Sequence, residues 1–291
     1  MEQEASGQNS PITSCRRSKT AHHSFSDSAV CIVRLPSRAR YRNISEMPFM
    51  PSKATIALSL FLCCALSAQE PVKPAQTLDP AMAKEKIKQT GPSEFEIGGI
   101  KINAKTREVR VPTTVQIKKA PIEYMLVTET GKTHESVLVT KVTPTDFQLA
   151  MLLANYEPGT DGLANKDLPP DIRPLPPVTP KTPGANRLTC TVEWQTQEGT
   201  KRAPLSQWAL DINTRKPPPD LETWIFNGSR FDKDGFLAEQ EGSFIAVWLD
   251  GNAIINSPAR GNWDDVLWIS NPDAIPDEGT DVTLIIAPPT K

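Results

Sequence analysis

The chain has 291 residues, with 32 Lys and Arg against 34 Asp and Glu, 28 prolines, three histidines and five cysteines. A formal net charge of −2, with no basic cluster interleaved with aromatics, excludes the usual electrostatic footprint of a nucleic-acid binder. Four of the five cysteines precede residue 65, which leaves too few thiols downstream for a disulfide framework, a zinc site or an iron–sulfur cluster.

Residues 1–46 mix Ser and Arg without helical or strand periodicity and read as a non-native or disordered upstream extension. Met47 and Met50 then precede Pro51-Ser52-Lys53 and a weakly polar to apolar run over 54–68. A short positive region, an apolar stretch of secretory length and small residues at its end predict a signal peptide over 47–68, cleaved between Ala65 and Ala68, with translation beginning at Met47 or Met50. The run is short for a membrane span. Bulky Leu62 before Cys63 argues against lipid attachment, and an organellar transit peptide is the alternative reading of the basic leader. The expected location is the periplasm or the extracellular space, with no stable membrane span after cleavage. From residue 69 onward 24 basic groups face 30 acidic ones, a net of −6. Cys190 is then the one remaining thiol and His134 the one remaining histidine.

Residues 69–92, rich in Pro, Lys, Gln and Ala, read as a flexible linker, and a single domain is expected over 93–291. Phe95 and Ile97, Ile100 and Ile102, Val109 and Val111, then Val115 and Ile117 alternate with polar residues, as half-buried strands of a meander do. Two β-branched and aromatic runs follow, 122–128 and 136–140. Between them Glu129-Thr130-Gly131-Lys132 predicts a hairpin turn, Gly131 being able to take a positive φ. Thr143 as N-cap, Pro144 at the first helical position and Asp146 at the capping-box position start a helix that Glu157-Pro158-Gly159 stops. Leu149, Leu152, Leu153 and Tyr156 line one of its faces and Phe147, Ala150, Met151 and Ala154 the adjoining one, so burial against a sheet is expected.

Eight prolines fall within 157–186. This proline-rich insertion reads as a surface excursion, and Pro174-Leu175-Pro176-Pro177 within it as a candidate polyproline docking ligand. Strands are expected at 188–196, 209–212, 223–226, 244–250, 266–269 and 282–287. The continuously apolar stretches 244–249 and 282–286 should be central, covered on both faces. The fold class is therefore α+β, a β-rich single domain of mostly antiparallel strands with one well-marked buried helix.

Three blocks carry a family resemblance: Glu123 with Leu126 and Val127; Gly131-Lys132-Thr133-His134-Glu135-Ser136 followed by Pro144; and Trp224-Ile225-Phe226-Asn227-Gly228-Ser229 with the stretch 242–258. In order and spacing the chain resembles the YdjY-type domain of bacterial envelope proteins over about 93–288. The resemblance implies an envelope role and carries no established activity. The ferredoxin-like description given to some members would require thiolate ligands that a single Cys190 does not supply.

The candidates for chemistry are few. His134 and Glu135, with Glu123, could form a hydrolase-like general-base site, and Lys132, His134 and Ser136 a polar binding cluster. The plainer alternative is that His134 and Glu135 satisfy the turn's backbone or one another. One histidine does not make a metal site, and neither a nucleophile elbow nor a cofactor fingerprint is present, so no cofactor is expected. Asp232, Asp234, Gly235 and Glu241 match calcium-loop positions, but Arg230 stands at the first ligand position, and Asp234-Gly235 reads better as a β-turn. Cys190 alternates with Leu188, Val192 and Trp194 and reads as a buried structural thiol. Among six tryptophans, Trp194, Trp224 and Trp248 are expected in the core, while Trp263, set among Gly, Asn and Asp, could be exposed and stack on a sugar ring. The sequence thus points to a secreted interaction or structural domain whose partner is an envelope protein or a glycan.

Overall fold

The computed structural model describes residues 85–163, 168, 175–219 and 221–290. The expected upstream extension and signal peptide, and most of the linker, lie outside these residues. Among the described residues no helix is long and apolar enough to cross a membrane.

The chain enters as an antiparallel meander: β1 (Lys88–Gly91), β2 (Glu94–Ile97), β3 (Ile100–Asn103) and β4 (Glu108–Val115). The strands are set by alternation, since Ile97, Ile100, Ile102, Val109 and Val111 are all buried while their neighbours face outward. Next come β5 (Tyr124–Thr128), β6 (Ser136–Thr140) and helix α1 (Pro144–Leu153). The second half supplies β7 (Arg187–Thr196), β8 (Gly199–Pro204), β9 (Ala209–Asp211), β10 (Trp224–Phe226), β11 (Phe231–Asp232) and β12 (Gly235–Phe236). A one-turn helix α2 (Leu237–Glu241) precedes β13 (Ser243–Ala246), β14 (Ile255–Asn256), β15 (Trp268–Ser270) and β16 (Asp281–Ala287).

Eight of these strands close on themselves in the order β4-β16-β7-β10-β14-β13-β5-β6, because β6 returns to pair with β4. The fold is β-rich, a mixed eight-stranded barrel with extra strands and two short helices. Strands β1 to β3 extend from β4, β8 extends from β7, and β9–β15 and β11–β12 form separate two-stranded pairs. Closure removes the edges that an open sheet would leave. The strand β4 serves two neighbours along one edge: Lys101 to Asn103 of β3 pair with its first residues, and Leu138 and Val139 of β6 with its last.

The hairpin expected at 122–140 is not formed. Strands β5 and β6 are parallel, Tyr124 opposite Ser136 and Thr128 opposite Thr140. Parallel neighbours usually need a crossover of a dozen residues or more. Here the residues between Thr128 and Ser136 suffice, because a five-residue strand is only about 17 Å long and seven residues can span roughly 23 Å. In the closed ring β6 pairs antiparallel with β4 on one side and parallel with β5 on the other. Gly131 accordingly does not take a positive φ; its place is one of close approach, an added Cβ falling 3.2 Å from the carbonyls of Glu241 and Gly242.

The helix α1 begins as its sequence requires, with the Thr143 hydroxyl accepting from the Asp146 amide at 3.1 Å. It packs on β2, β3 and α2, and its buried side is that of Phe147, Ala150, Met151 and Ala154, whereas Leu152 is exposed. The Phe147 ring meets Phe244 edge-on, at 5.1 Å between centroids. Burial on both faces holds for most of β13 and β16, Thr283 in β16 being an exception. Residues 175–180 of the proline-rich insertion lie against the domain. Thr160 bonds to Pro176 and Val178, and the Leu175 side chain rests on Gly251. Pro174, the first residue of the expected docking string, lies outside the described residues.

Candidate functional site

Three separate blocks of sequence meet on strand β5 and the loop after β13. The phenol of Tyr124, fully buried, donates to Asp250 Oδ2 at 3.0 Å and accepts from Lys132 Nζ at 2.6 Å. The Lys132 ammonium also sits 4.8 Å from the centroid of the same ring. Beneath this knot lies a small apolar cluster, separate from the main core, made of Tyr124, Val127, Val139, Ala246 and Ala253 with Trp248 packed on it.

Each member is held by local geometry. Lys132 and its neighbours ride on the tight return between β5 and β6, a 3-10 turn over Thr133–Glu135. Asp250 is 6% exposed, and its turn is fixed from both ends. Its Oδ1 accepts the Asn252 amide at 2.8 Å, and its own amide donates to Asn256 Oδ1 at 2.8 Å. Asn256 Nδ2 in turn donates to the Asp250 carbonyl and to Asn227 Oδ1, and Asn227 Nδ2 reaches the Ala253 carbonyl, each at 2.8 Å. Because β13 and β14 are parallel, the loop between them crosses open ground, and this asparagine pair supplies the backbone partners a sheet would otherwise give.

The electrostatics follow from burial. Desolvation and the Asp250 charge push the Tyr124 phenol far above its ordinary value, so it stays a protonated donor. Burial, with Glu135 next in effect, raises the Glu123 carboxyl above its usual 4.5; Lys132 opposes this, and Asp265 and Asp250 add to it. The Cys190 thiol is pushed up by burial alone and lies in the main core, with no nucleophilic character.

The sequence candidates divide into two groups. Glu123, Lys132 and Glu135 surround the knot. The His134 side chain is 79% exposed at its rim, with Glu135 Oε2 at 3.6 Å. Ser136 does not face solvent: it is fully buried and its hydroxyl donates to the Leu138 carbonyl at 2.9 Å. Trp263 is half-buried on a loop that borders the knot, since Asn262 accepts the Leu249 amide and Asp265 acts on Glu123. Trp208, Trp224 and Trp268 are buried, and Trp194 and Trp248 are half-buried. The calcium-like stretch is the β11–β12 hairpin, with Asp232 Oδ1 taken up by the amides of Asp234 and Gly235. Among the described residues no group of three His, Cys, Asp or Glu is placed to hold a metal ion.

Tyr124, Asp250, Asn227 and Asn256 were absent from the candidates named by sequence. Their signal was a polar residue inside an apolar run: Asn256 follows Ala253-Ile254-Ile255, and Asp250 follows Phe244 to Leu249. A buried polar residue in such a place must have a partner, and here the partners are each other.

A family model described as the YdjY domain matches residues 100–287, and the chain belongs to that family. No curated protein and no solved structure matches it.

Proposed function

We propose that this YdjY-family chain is an exported, non-catalytic interaction domain of the bacterial envelope, and that the surface around Lys132 is where it meets its partner. The observation that carries this reading is the closed state of the knot. The Tyr124 proton is directed at Asp250 and the phenol oxygen takes the Lys132 ammonium, so the groups best placed for acid–base work are spent on one another. What faces outward is a rim: His134 with Glu135, Glu123, and the Trp263 loop. A rigid polar centre with an exposed rim supports recognition, because its geometry needs no ordering on contact.

The test is complementation of a deletion strain by point variants. His134→Ala, Glu135→Gln and Glu123→Gln each alter one rim group and should weaken complementation in part, and the triple variant should abolish it at an undiminished melting temperature. Full complementation by the triple variant would refute the rim as the interaction surface, and complete loss from His134→Ala alone, with Glu123→Gln and Glu135→Gln near wild type, would instead favour hydrolase-like chemistry at that residue. Export is checked by mass spectrometry of the mature N-terminus, expected between Ala65 and Gln69; an uncleaved protein in the cytoplasm would refute it.

A second reading has its own observation. Trp263 is half-buried, with Asp264 and Asp265 following it on the loop, an arrangement of ring face and acceptors suited to a sugar. Retention on cell-wall polysaccharide that drops in Trp263→Ala would favour this reading, and near-wild-type retention would count against it.

A further inference from the structure

We propose that the limb 175–186 of the proline-rich insertion is a strap that holds the Asp250 loop in the geometry of the Tyr124 knot, with Leu175 as its point of contact. The limb is fastened at its base and along its length. The Glu157 carboxylate accepts the amide and the hydroxyl of Thr182 at 2.9 and 2.7 Å. Asn186 Nδ2 donates to the carbonyls of Gly159 and Asp161 at 3.1 and 2.9 Å. Farther along, Thr160 clips the outgoing limb to the returning one. Its amide donates to the Val178 carbonyl at 2.8 Å, and its hydroxyl donates to the Pro176 carbonyl at 3.0 Å and accepts the Val178 amide at 2.8 Å. The two limbs also pack directly, since Pro180 is buried and a Cβ added at Gly159 would fall 2.7 Å from its ring.

Leu175 reaches from this limb to the knot loop. It is half-buried, and a Cβ added at Gly251 would lie 2.6 Å from its Cδ2, so the glycine is the seat on which the leucine rests. Gly251 stands between Asp250, whose Oδ2 accepts the Tyr124 phenol, and Asn252, whose amide binds Asp250 Oδ1. Hydrogen bonds fix the residues on either side. The Asp250 amide is shared between the Trp248 carbonyl at 3.1 Å and Asn256 Oδ1 at 2.8 Å, and the Ser229 hydroxyl donates to the Asn252 carbonyl at 2.6 Å. Among the described residues Gly251 itself makes no hydrogen bond, so the contact with Leu175 is what restrains it. The leucine thus bears on the one unbonded link of the turn that aims the Asp250 carboxylate.

Proline makes the limb stiff enough to carry that restraint. Pro176 and Pro177 have fixed φ, and Leu175, as the residue before a proline, is held extended as well. Pro176, Pro177 and Val178 are exposed, so a displacement applied at this ridge passes to Leu175 and through Gly251 to Asp250. Segments held by few contacts open locally at low cost, and removing an apolar contact lowers that cost further. As regulation of the Lys132 rim, the strap rests on the interaction role proposed above. The experiment reads the loop with no partner present, so strap and rim can fail separately.

The mature protein is followed by hydrogen exchange and by the rate at which acetic anhydride acetylates Lys132, both read by mass spectrometry. Leu175→Ala should speed exchange in peptides covering 248–254 at least about fivefold, and acetylation of Lys132 at least about threefold, with β4 and β16 unchanged. Gly251→Ala, which pushes the leucine away from the other side, should act in the same direction. Leu175→Met keeps an apolar side chain on the glycine and should stay within about twofold of the parent in both rates. Val178→Ser alters the same limb away from the loop and should also leave both rates within about twofold. Parental rates in both Leu175→Ala and Gly251→Ala would overturn the proposal. So would an equal acceleration in Val178→Ser, or an acceleration in Leu175→Ala that extends to β4 and β16, which marks a general loss of stability.

Discussion

Replacing Tyr124 by Phe removes a single oxygen and leaves the buried ring in place, which isolates the knot from the packing around it. Two charge-assisted hydrogen bonds are lost, one from Lys132 at 2.6 Å and one to Asp250 at 3.0 Å. Lys132 is half-buried and regains water. Asp250 is 6% exposed; its Oδ1 keeps the Asn252 amide, but its Oδ2 is left without the phenol. Bonds to charged groups contribute about 1.5–3 kcal/mol, and a buried acceptor left bare costs about as much, so the expected loss is about 2–3 kcal/mol. For a domain of this size that corresponds to a fall of roughly 4–12 °C in melting temperature. Tyr156 is the internal control. It is equally buried, but its hydroxyl makes one neutral bond, to the Arg107 carbonyl at 3.0 Å, so Tyr156→Phe should cost only about 0.5–1.5 kcal/mol. Urea unfolding and calorimetry at neutral pH read both variants. If Tyr124→Phe is no more destabilising than Tyr156→Phe, the knot does not stabilise the fold, and its charged bonds are worth no more than an ordinary neutral one.

Gly242 has φ 70° and an added Cβ would lie 2.2 Å from Thr128 Oγ1, so Gly242→Ala combines a left-handed backbone penalty with overpacking and should cost about 2–4 kcal/mol in urea unfolding. Adding Thr128→Ala should recover the steric part and leave the backbone part. Asn256→Ala strips partners from the Asp250 amide and carbonyl and from Asn227 Oδ1, all in buried surroundings, and should destabilise by about 3 kcal/mol or more; a loss under about 1 kcal/mol would mean that water replaces the side chain. The Glu123 carboxyl is raised above 4.5 in the folded state, so folding there binds a proton more tightly than the unfolded chain does. Its stabilising contribution is complete below 4.5 and is lost as pH climbs through the raised value. Glu123→Gln should therefore be more stable than the parent at neutral pH, and the advantage should vanish in acid; equal urea midpoints at both ends of that range would contradict the assigned cause.

Local signals in the sequence translated directly into structure where the relevant interactions are short-range. The Thr143 cap and Pro144 opened the helix at the expected residue, the alternation from Phe95 to Val111 became a meander, and a tight turn formed between Phe231 and Phe236, centred on Lys233-Asp234 with Gly235 opening the returning strand. The faces of α1 were less legible, because Leu149, Leu152, Leu153 and Tyr156 line one side and Phe147, Ala150, Met151 and Ala154 the other, and both are equally apolar on paper. The sheet chose the side with Ala150 and Ala154, which lets the backbone approach closely, and left Leu152 in solvent.

Of the site, the sequence picked out Glu123, Lys132, His134 and Glu135 because charge and histidine near a glycine turn are conspicuous. It missed Tyr124 and Asp250, which stand inside apolar runs and read as strand residues until their partners are known. Lys132 and Asp250 are brought to the same phenol although they are far apart in the chain, and no periodicity encodes that meeting.

By itself the sequence determined composition, the family, the β-rich character and the places where helix and turns begin, because propensities, caps and alternation act over a few residues. The direction of β6, the closure of the barrel and the assembly of the Tyr124 knot were decided only by tertiary structure. Strand direction is not encoded within a strand's own residues, and β6 lies antiparallel to β4, a strand distant from it in the chain, and parallel to β5. Once the ring had closed, the buried polar groups of three separate segments had only one another to satisfy their hydrogen bonds.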